Sequence, residues 1–364
     1  MLEENFLAAF LPLYTQGLVK CLEWSFDTGL ESMPGWAFAL LNDYAERGAL
    51  LGHGVSYSLF SDNDRQLAWL RCLDESVANH NFTLFSEHFG FTQSGRYLDN
   101  APLPVPYSEA FLVRGRANLA RLSKHACTRV GLENLAFAFS REEVLQQGAF
   151  LEALLQDQPQ SFLLLDLHNL YCQAINFAID PYELLATYPL ERVLEIHMAG
   201  GRVEPRRPEA NSGHLRRDTH DRPIPEELFA LLEYALAALP NLEYVIYERL
   251  GSTLAGESDK LDFQEDYLKL GELVANMVPN STLSSAYSSV LSQAVSSRAQ
   301  YKDDLTTANS FLERLSESLS VGGGDTKNKL SRTFHCYAPY IESMQEDMIG
   351  LAARLYQTWG VSND

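Results

Sequence analysis

The sequence of 364 residues has few of the features that would fix a disulfide frame, a membrane span or a nucleic-acid surface. Its five cysteines, Cys21, Cys72, Cys127, Cys172 and Cys336, are scattered and never spaced as Cys-x-x-Cys. An odd, dispersed set excludes a disulfide scaffold or a thiolate zinc site and reads as reduced, mostly buried thiols. No apolar run approaches the ~20 residues that a spanning helix needs. The opening Met1-Leu2-Glu3-Glu4-Asn5 carries no basic region, so no signal peptide is expected and the cytoplasm is the expected compartment. Basic residues are scarce: 28 Lys and Arg stand against 48 Asp and Glu, a net charge of -20. Nucleic-acid binders need basic surface to displace counterions, which disfavours that class. A phosphate-cradling loop is also missing, because Gly322-Gly323-Gly324 is not followed by Lys-Ser/Thr. No internal repeat is evident.

What is present is an ordinary globular balance, 46% hydrophobic and 21% charged, in a chain long enough for one large core and an accessory module. Short apolar runs at residues 18–24, 50–57, 82–87, 130–138, 162–167, 192–198 and 243–247 alternate with helix-like segments. The latter lie at 36–47, 63–78, 108–129, 141–156, 181–188 and 225–239, with apolar positions three and four apart, as in Leu228, Leu231, Leu232 and Ala235. This alternation predicts a parallel sheet covered by helices. Polar residues cluster at one end of nearly every strand, which favours an α/β fold of the TIM type over an open sheet. A (β/α)8 barrel needs eight strands. Seven runs are visible, and the chain opens on a helix-like stretch at 6–14, so the first strand is expected to be missing or irregular.

Beyond residue 279 the composition shifts to a serine-rich stretch, 281–297, then to helix-like segments at 302–319 and 327–359 on either side of Gly322-Gly323-Gly324. The expected organisation is a metal-binding catalytic barrel over 1–280 and a helical hairpin extension over 281–364, which packs on the barrel or binds a partner.

Histidines and carboxylates recur at or just after the ends of these strands. They are His53 in Gly-His-Gly-Val-Ser, His88 in Ser-Glu-His, Glu133 in Leu-Glu-Asn, and Asp166 in Leu-Asp-Leu-His-Asn. His197 follows in Ile-His-Met-Ala-Gly, Asp218 and His220 in Asp-Thr-His-Asp, and Glu248 after Val-Ile-Tyr. Any one of them alone reads more simply as a hydrogen-bonded core histidine, a helix cap or an arginine partner. Together they would converge, because all strand C-termini of a parallel barrel open on one face. Imidazole with carboxylate and no cysteine suits iron, zinc or manganese. Seven or more such groups exceed the needs of one ion, so two or three ions are expected, with carboxylates bridging. Burying so many carboxylates without cations would be costly. Arg216 and Arg217, with Arg206 and Arg207, flank this loop and read either as solvated surface or as weak candidates for holding an acidic substrate group. His80 and His125 fall in or beside helices and read as surface residues. His335-Cys336 reads as packing.

In this order the motifs resemble the DUF692 family, the multinuclear non-heme iron-dependent oxidative enzymes that include the methanobactin-forming enzyme. The likeness spans roughly residues 18–250. It implies a TIM barrel holding two or three irons in mixed Fe(II)/Fe(III) states, with O2 as co-substrate. It also implies oxidative modification of a ribosomally made precursor peptide, often at a cysteine, often with a separate leader-binding partner protein. Carried over by motif, the ligands would be His53, His88, Glu133, Asp166, His197, Asp218, His220 and Glu248, with Asn169 at a position some members use as a further ligand. The chain departs from the family in four places: it lacks the Gly-rich first strand, has Gly201 where a histidine usually follows Ile-His-Met-Ala-Gly, has His168 where asparagine is common, and has Leu250 after Glu248-Arg249 in a less typical run. Two ions are therefore expected more readily than three. The competing readings are a redox-neutral zinc, manganese or magnesium barrel of the xylose isomerase or endonuclease IV kind, and a non-catalytic metal-binding scaffold.

Overall fold

Seven strands alternate with helices in the order α1 (Glu4–Thr15), β1 (Leu22–Ser25), α2 (Gly35–Glu46), β2 (Leu50–Gly54), α3 (Asp64–Asn79), β3 (Leu84–His88), α4 (Glu109–Ala126), β4 (Arg129–Glu133), α5 (Arg141–Leu155) and β5 (Ser161–Asp166). The chain continues through α6 (Leu167–Asn176), α7 (Pro181–Leu185), β6 (Val193–Ala199), the short strands β7 (Val203–Pro205) and β8 (His214–Arg216), α8 (Glu226–Leu236), β9 (Tyr244–Glu248) and α9 (Glu257–Ala275). This computed structural model describes residues 3–27, 33–95, 101–206, 213–276 and 299–359. The serine-rich stretch, the expected boundary at 280/281 and Arg207 lie outside them. No described helix is long and apolar enough to cross a membrane.

All seven long strands pair in parallel, in the order β1-β2-β3-β4-β5-β6-β9. Side chains of a strand alternate between its two faces. One face of the sheet packs against the helices, through residues such as Phe85, Leu132, Leu165 and Ile196. On the other face Leu51, Leu84, Phe162, Leu164 and Ile246 form a separate cluster with Cys21, Leu194 and Tyr244. One such cluster can draw on both the first and the last strands only if the sheet curls round on itself. The sheet is therefore a nearly closed TIM-type barrel. The described residues contain no eighth strand; beside the gap between β9 and β1, Ala9 and Leu13 of α1 pack on Phe263 of α9 and on Leu254 in the turn before it.

Caps and breakers place these elements where the pattern put them. Asn63, Ser108 and Ser140 each accept a backbone N–H from the first turn of α3, α4 and α5. The run expected over 130–138 ends as a strand at Glu133, because Asn134 turns away to bridge to β5. Its side chain donates to Asp166 O at 3.0 Å and accepts from Asp166 N at 2.8 Å.

The C-terminal region differs from the expected hairpin. After α10 (Leu305–Ser320) the second segment is broken into α11 (Thr326–Ser331), α12 (Ala338–Ser343) and α13 (Glu346–Trp359). Pro339, in the first turn of α12, has no N–H to continue a helix, and Met344 is extended, with ψ of 133°. The glycine break was read correctly: at Gly323 (φ +75°) a Cβ would come within 3.2 Å of Ala353, so the turn fits tightly against α13.

This module shares one continuous core with the barrel. Asp303 accepts from Ser108 Oγ and Ala110 N at the start of α4. Gln345 N donates to Phe139 O at 2.8 Å, and Tyr340 donates to Glu143 Oε1 at 2.6 Å. Burial pushes the Glu143 carboxyl up to about 7, although Tyr340 and the backbone at Phe139 and Ser140 oppose it. A folded-state value above the unfolded one means that stability is fully present below about 4.5 and falls as pH rises to about 7. The fall should total on the order of 3 kcal/mol at most. Wild-type denaturation measured across this range should therefore slope downward relative to Glu143→Gln. Parallel curves for the two proteins would contradict the assignment.

Candidate metal centre

The barrel mouth is built by strand alternation. Inward positions beyond the apolar layer, near the C-terminal ends of the strands, bring in Glu23, His53, His88, Glu133, Asp166, His197 and Glu248, one from each of the seven strands. The register staggers them around the barrel: His88 pairs with Glu133, Asp166 with His197, and Ala199 with Glu248. His220 and Asp218 come from the loop after β8. His220 adopts a left-handed backbone (φ 50°), sparsely populated for a non-glycine, and is pinned when its carbonyl accepts Leu250 N at 2.8 Å.

These side chains meet. His53 Nε2 and His88 Nε2 lie 3.5 and 3.4 Å from Glu133 Oε2. His197 Nδ1 is 3.1 Å from Glu248 Oε2, and His220 Nε2 is 3.7 Å from the same oxygen. Four donor groups can each gather within 4.8 Å: His53-His88-Glu133, Glu133-Asp166-His197, Asp166-His220-Glu248 and Glu23-His197-Glu248. Glu133, Asp166, His197 and Glu248 each belong to two groups, and the three carboxylates among them, with two oxygens each, are the residues that could serve two ions.

The buried atoms here lack hydrogen-bond partners. Glu133 Oε2, Asp166 Oδ2, Asn169 Oδ1, His197 Nδ1, His220 Nε2 and Glu248 Oε2 are all orphaned. Each such group costs about 1–3 kcal/mol if nothing else satisfies it. Six lone pairs or N–H groups aimed into one space, all nitrogen or oxygen, fit divalent or trivalent first-row cations. The residues present therefore fit a metal cluster.

Electrostatics point the same way. Burial, reinforced by Asp218 and Glu133, holds the Asp166 carboxyl well above the usual range. Burial would lower His88, but Glu133 and Glu87 overcome it and lift the imidazole to about 10. His220 reaches about 10 against burial, through Asp218 and Glu248. His53 is held well below its ordinary value by burial and by the neighbouring His88 and His197. The cluster is short of positive charge, and protons fill the role that cations can take.

Surrounding residues set the ligand orientations. His53 Nδ1 faces Ser86 Oγ at 2.8 Å, turning Nε2 inward. Asn169 Nδ2 donates to Glu133 Oε1 at 2.8 Å, and Asn169 N caps α6 on Asp166 Oδ1 at 2.7 Å. Gly54 is required after His53, because a Cβ there would sit 2.4 Å from Glu87 Oε2. Asp218 belongs to none of the four groups. Its Oδ1 lies 2.8 Å from both His168 Nδ1 and His220 Nε2, which hold its carboxyl well below the usual range although burial opposes them. Gly201, too, has a cause: a Cβ would lie 2.0 Å from Arg217 O and 2.8 Å from His168 Cε1, so the His168 ring fills that room.

Among the weaker candidates, Arg216 stacks over the Tyr171 ring at 5.0 Å and Arg217 pairs with Glu204 at 3.3 Å. Arg206 pairs with Asp347 of the C-terminal module at 2.6 Å. His80 is buried against Trp24 and Phe38, a correction to its reading as a surface residue. Glu23 and Glu195 were missed. The signal was a carboxylate at an inward position of an apolar strand, but Cys-Leu-Glu-Trp-Ser was too short to establish phase.

The model of the RiPP precursor modification enzymes MbnB/TglH/ChrH matches residues 27–250, more than half of the chain. The chain belongs to this family. Among its relatives, a UPF0276 protein of Caulobacter vibrioides is 32% identical over 191 residues, covering 52% of this chain. The match spans 65% of that relative, just under two thirds of its length. A UPF0276 protein of Neisseria meningitidis serogroup B is 29% identical over 219 residues, covering 60% of this chain and 75% of the relative. Similar solved structures include a xylose isomerase domain protein from Planctomyces limnophilus, at 14% identity and TM-score 0.48 over 73% of this chain and 93% of that one. Another is a D-psicose 3-epimerase from Clostridium cellulolyticum H10, at 16% identity and TM-score 0.44 over 76% and 95%.

Proposed function

We propose that this family member is a cytoplasmic metalloenzyme that oxidises a ribosomally synthesised precursor peptide, at a cysteine or a neighbouring carbon, using two or three irons and O2. The observation that carries the reading is the ring of orphaned His, Asp, Glu and Asn atoms at the barrel mouth in a chain of a peptide-modifying family. His53, His88, Glu133, Asp166, Asn169, His197, His220 and Glu248 would hold the ions, with Asp218 at their edge. Bound iron would activate O2, and O2 would supply the oxidising equivalents.

The chain's own residues would do the rest. His53, Glu133 and His197 have side chains at most 4% exposed, so they close the floor of the site to water. His88, Asp218, His220 and Glu248 are 16–26% exposed and mark the side from which a peptide reaches the centre. Arg216 ends β8 and Arg217 follows it, directly before Asp218, and the two would orient an acidic group of the peptide. A leader-binding partner protein is part of the proposal, and the C-terminal module borders the loop after β4 and the β7-β8 hairpin, where it could meet one.

The test is anaerobic purification, iron analysis, and O2 uptake with the short peptides encoded beside this chain's gene. Iron-dependent O2 consumption with a mass change on the peptide is expected, and loss of both in His53→Ala. Zinc or manganese with no O2 uptake on any peptide would sink the proposal.

A further inference from the structure

His197 is held from both sides of its ring. Nε2 lies 3.2 Å from Glu23 Oε1, in hydrogen-bonding geometry, and 3.8 Å from Glu195 Oε1. Nδ1 lies 3.1 Å from Glu248 Oε2 but makes no hydrogen bond. Glu23 comes from β1 and Glu195 from β6, two residues before His197, and their side chains are 6% and 1% exposed. A neutral imidazole carries one N–H and one lone pair. The proton belongs on the nitrogen that hydrogen-bonds buried Glu23, with the Glu195 carboxylate 3.8 Å behind it, which leaves the Nδ1 lone pair directed at the donor cluster.

We infer that Glu23, backed by Glu195, is the positioning carboxylate of His197: it accepts the Nε2 proton and so presents Nδ1 as the ligand atom. The inference rests on the metal-centre reading and adds to it a residue and a coordination mode. Three other histidines of the cluster face the opposite way. His53 gives Nδ1 to Ser86, and His88 places Nδ1 3.3 Å from Gly54 O, so both turn Nε2 to Glu133. His220 directs Nε2 to Asp218 and Glu248. His197 is the one of these four whose Nδ1 would bind metal. A carboxylate behind a ligating imidazole fixes its tautomer and orientation, and losing it typically lowers metal affinity about 10–100-fold.

The experiment uses full-length, iron-loaded protein grown with histidine carrying nitrogen-15 at Nδ1 alone or at Nε2 alone. Pulsed electron paramagnetic resonance then reports which nitrogen is bound. A strong Nδ1 coupling that disappears in His197→Ala is the expected result. Nε2 couplings without any Nδ1 coupling would overturn the inference while leaving the metal centre standing; coupling from neither label would overturn the metal centre itself. Substitution gives a second arm that does not depend on activity. Iron affinity should drop about 10–100-fold in Glu23→Ala and far less in Glu23→Gln, which keeps an acceptor oxygen. Equal losses in the two variants would make Glu23 a ligand and refute its positioning role. The labelled wild-type measurement stands even if Glu23→Ala does not fold.

Discussion

Glu133→Gln is expected to lose at least half of its bound metal and to cut oxidative turnover by ~100-fold or more, beyond the upper end of what losing an outer-shell partner costs. Glu133 belongs to two donor groups, one with His53 and His88, the other with Asp166 and His197, so one substitution disturbs two ion positions. The same variant should be more stable than wild type once metal is removed. Burial pushes the Glu133 carboxyl above its ordinary range, with Oε2 lacking a partner, while Oε1 accepts from Asn169. A glutamine keeps that hydrogen bond and relieves the burial cost and the crowding by Glu248 and Asp218, which should outweigh the lost attraction to His88 and His197 and add about 1–3 kcal/mol to the apo protein. Gain of apo stability with loss of metal is the pattern of a site whose residues serve function at a cost in folding energy. Inductively coupled plasma analysis and urea denaturation of the chelated proteins measure both halves. Full metal content in Glu133→Gln would remove Glu133 from the ligand set.

Chelation of the wild-type protein should lower its melting temperature by on the order of 10 °C. An ion present at a thousandfold excess over its Kd adds about 4 kcal/mol to the folded state. In a large domain each kcal/mol moves Tm by roughly 2–4 °C. The ring should respond as a unit, because Glu133, Asp166, His197 and Glu248 each serve two groups. The loss should be reversed by adding back iron and should shrink as pH falls, since protons compete for His53, His88, His197 and His220 and weaken the binding that chelation removes. Differential scanning calorimetry with and without a strong chelator reads this directly. Unchanged unfolding across metal-free and metal-loaded samples would mean that no ion is held at the barrel mouth.

Much of this protein was legible before its structure. Seven apolar runs separated by helical periodicity matched seven parallel strands, because strand and helix periods are local properties of the chain. His53, His88, Glu133, Asp166, His197 and Glu248 fall together for a related reason: each lies at an inward position near the end of its strand, and parallel strands end on one face, while Asn169 and His220 join them from the segments that follow strands. The long helix expected over 327–359 failed at Pro339 and Met344, where backbone chemistry and module packing outweigh apolar spacing.

What only the tertiary structure decided is which atom of each residue faces which neighbour. Asp218 was read with the ligands, and packing places its Oδ1 2.8 Å from both His168 Nδ1 and His220 Nε2. Glu23 lies 174 residues from its partner His197, and no local pattern reports a contact made across a barrel interior. Composition and spacing determined that histidines and carboxylates would gather where the strands end. The closing of the barrel decided which nitrogens and oxygens were left without partners, because only there do side chains from opposite strands share one desolvated space.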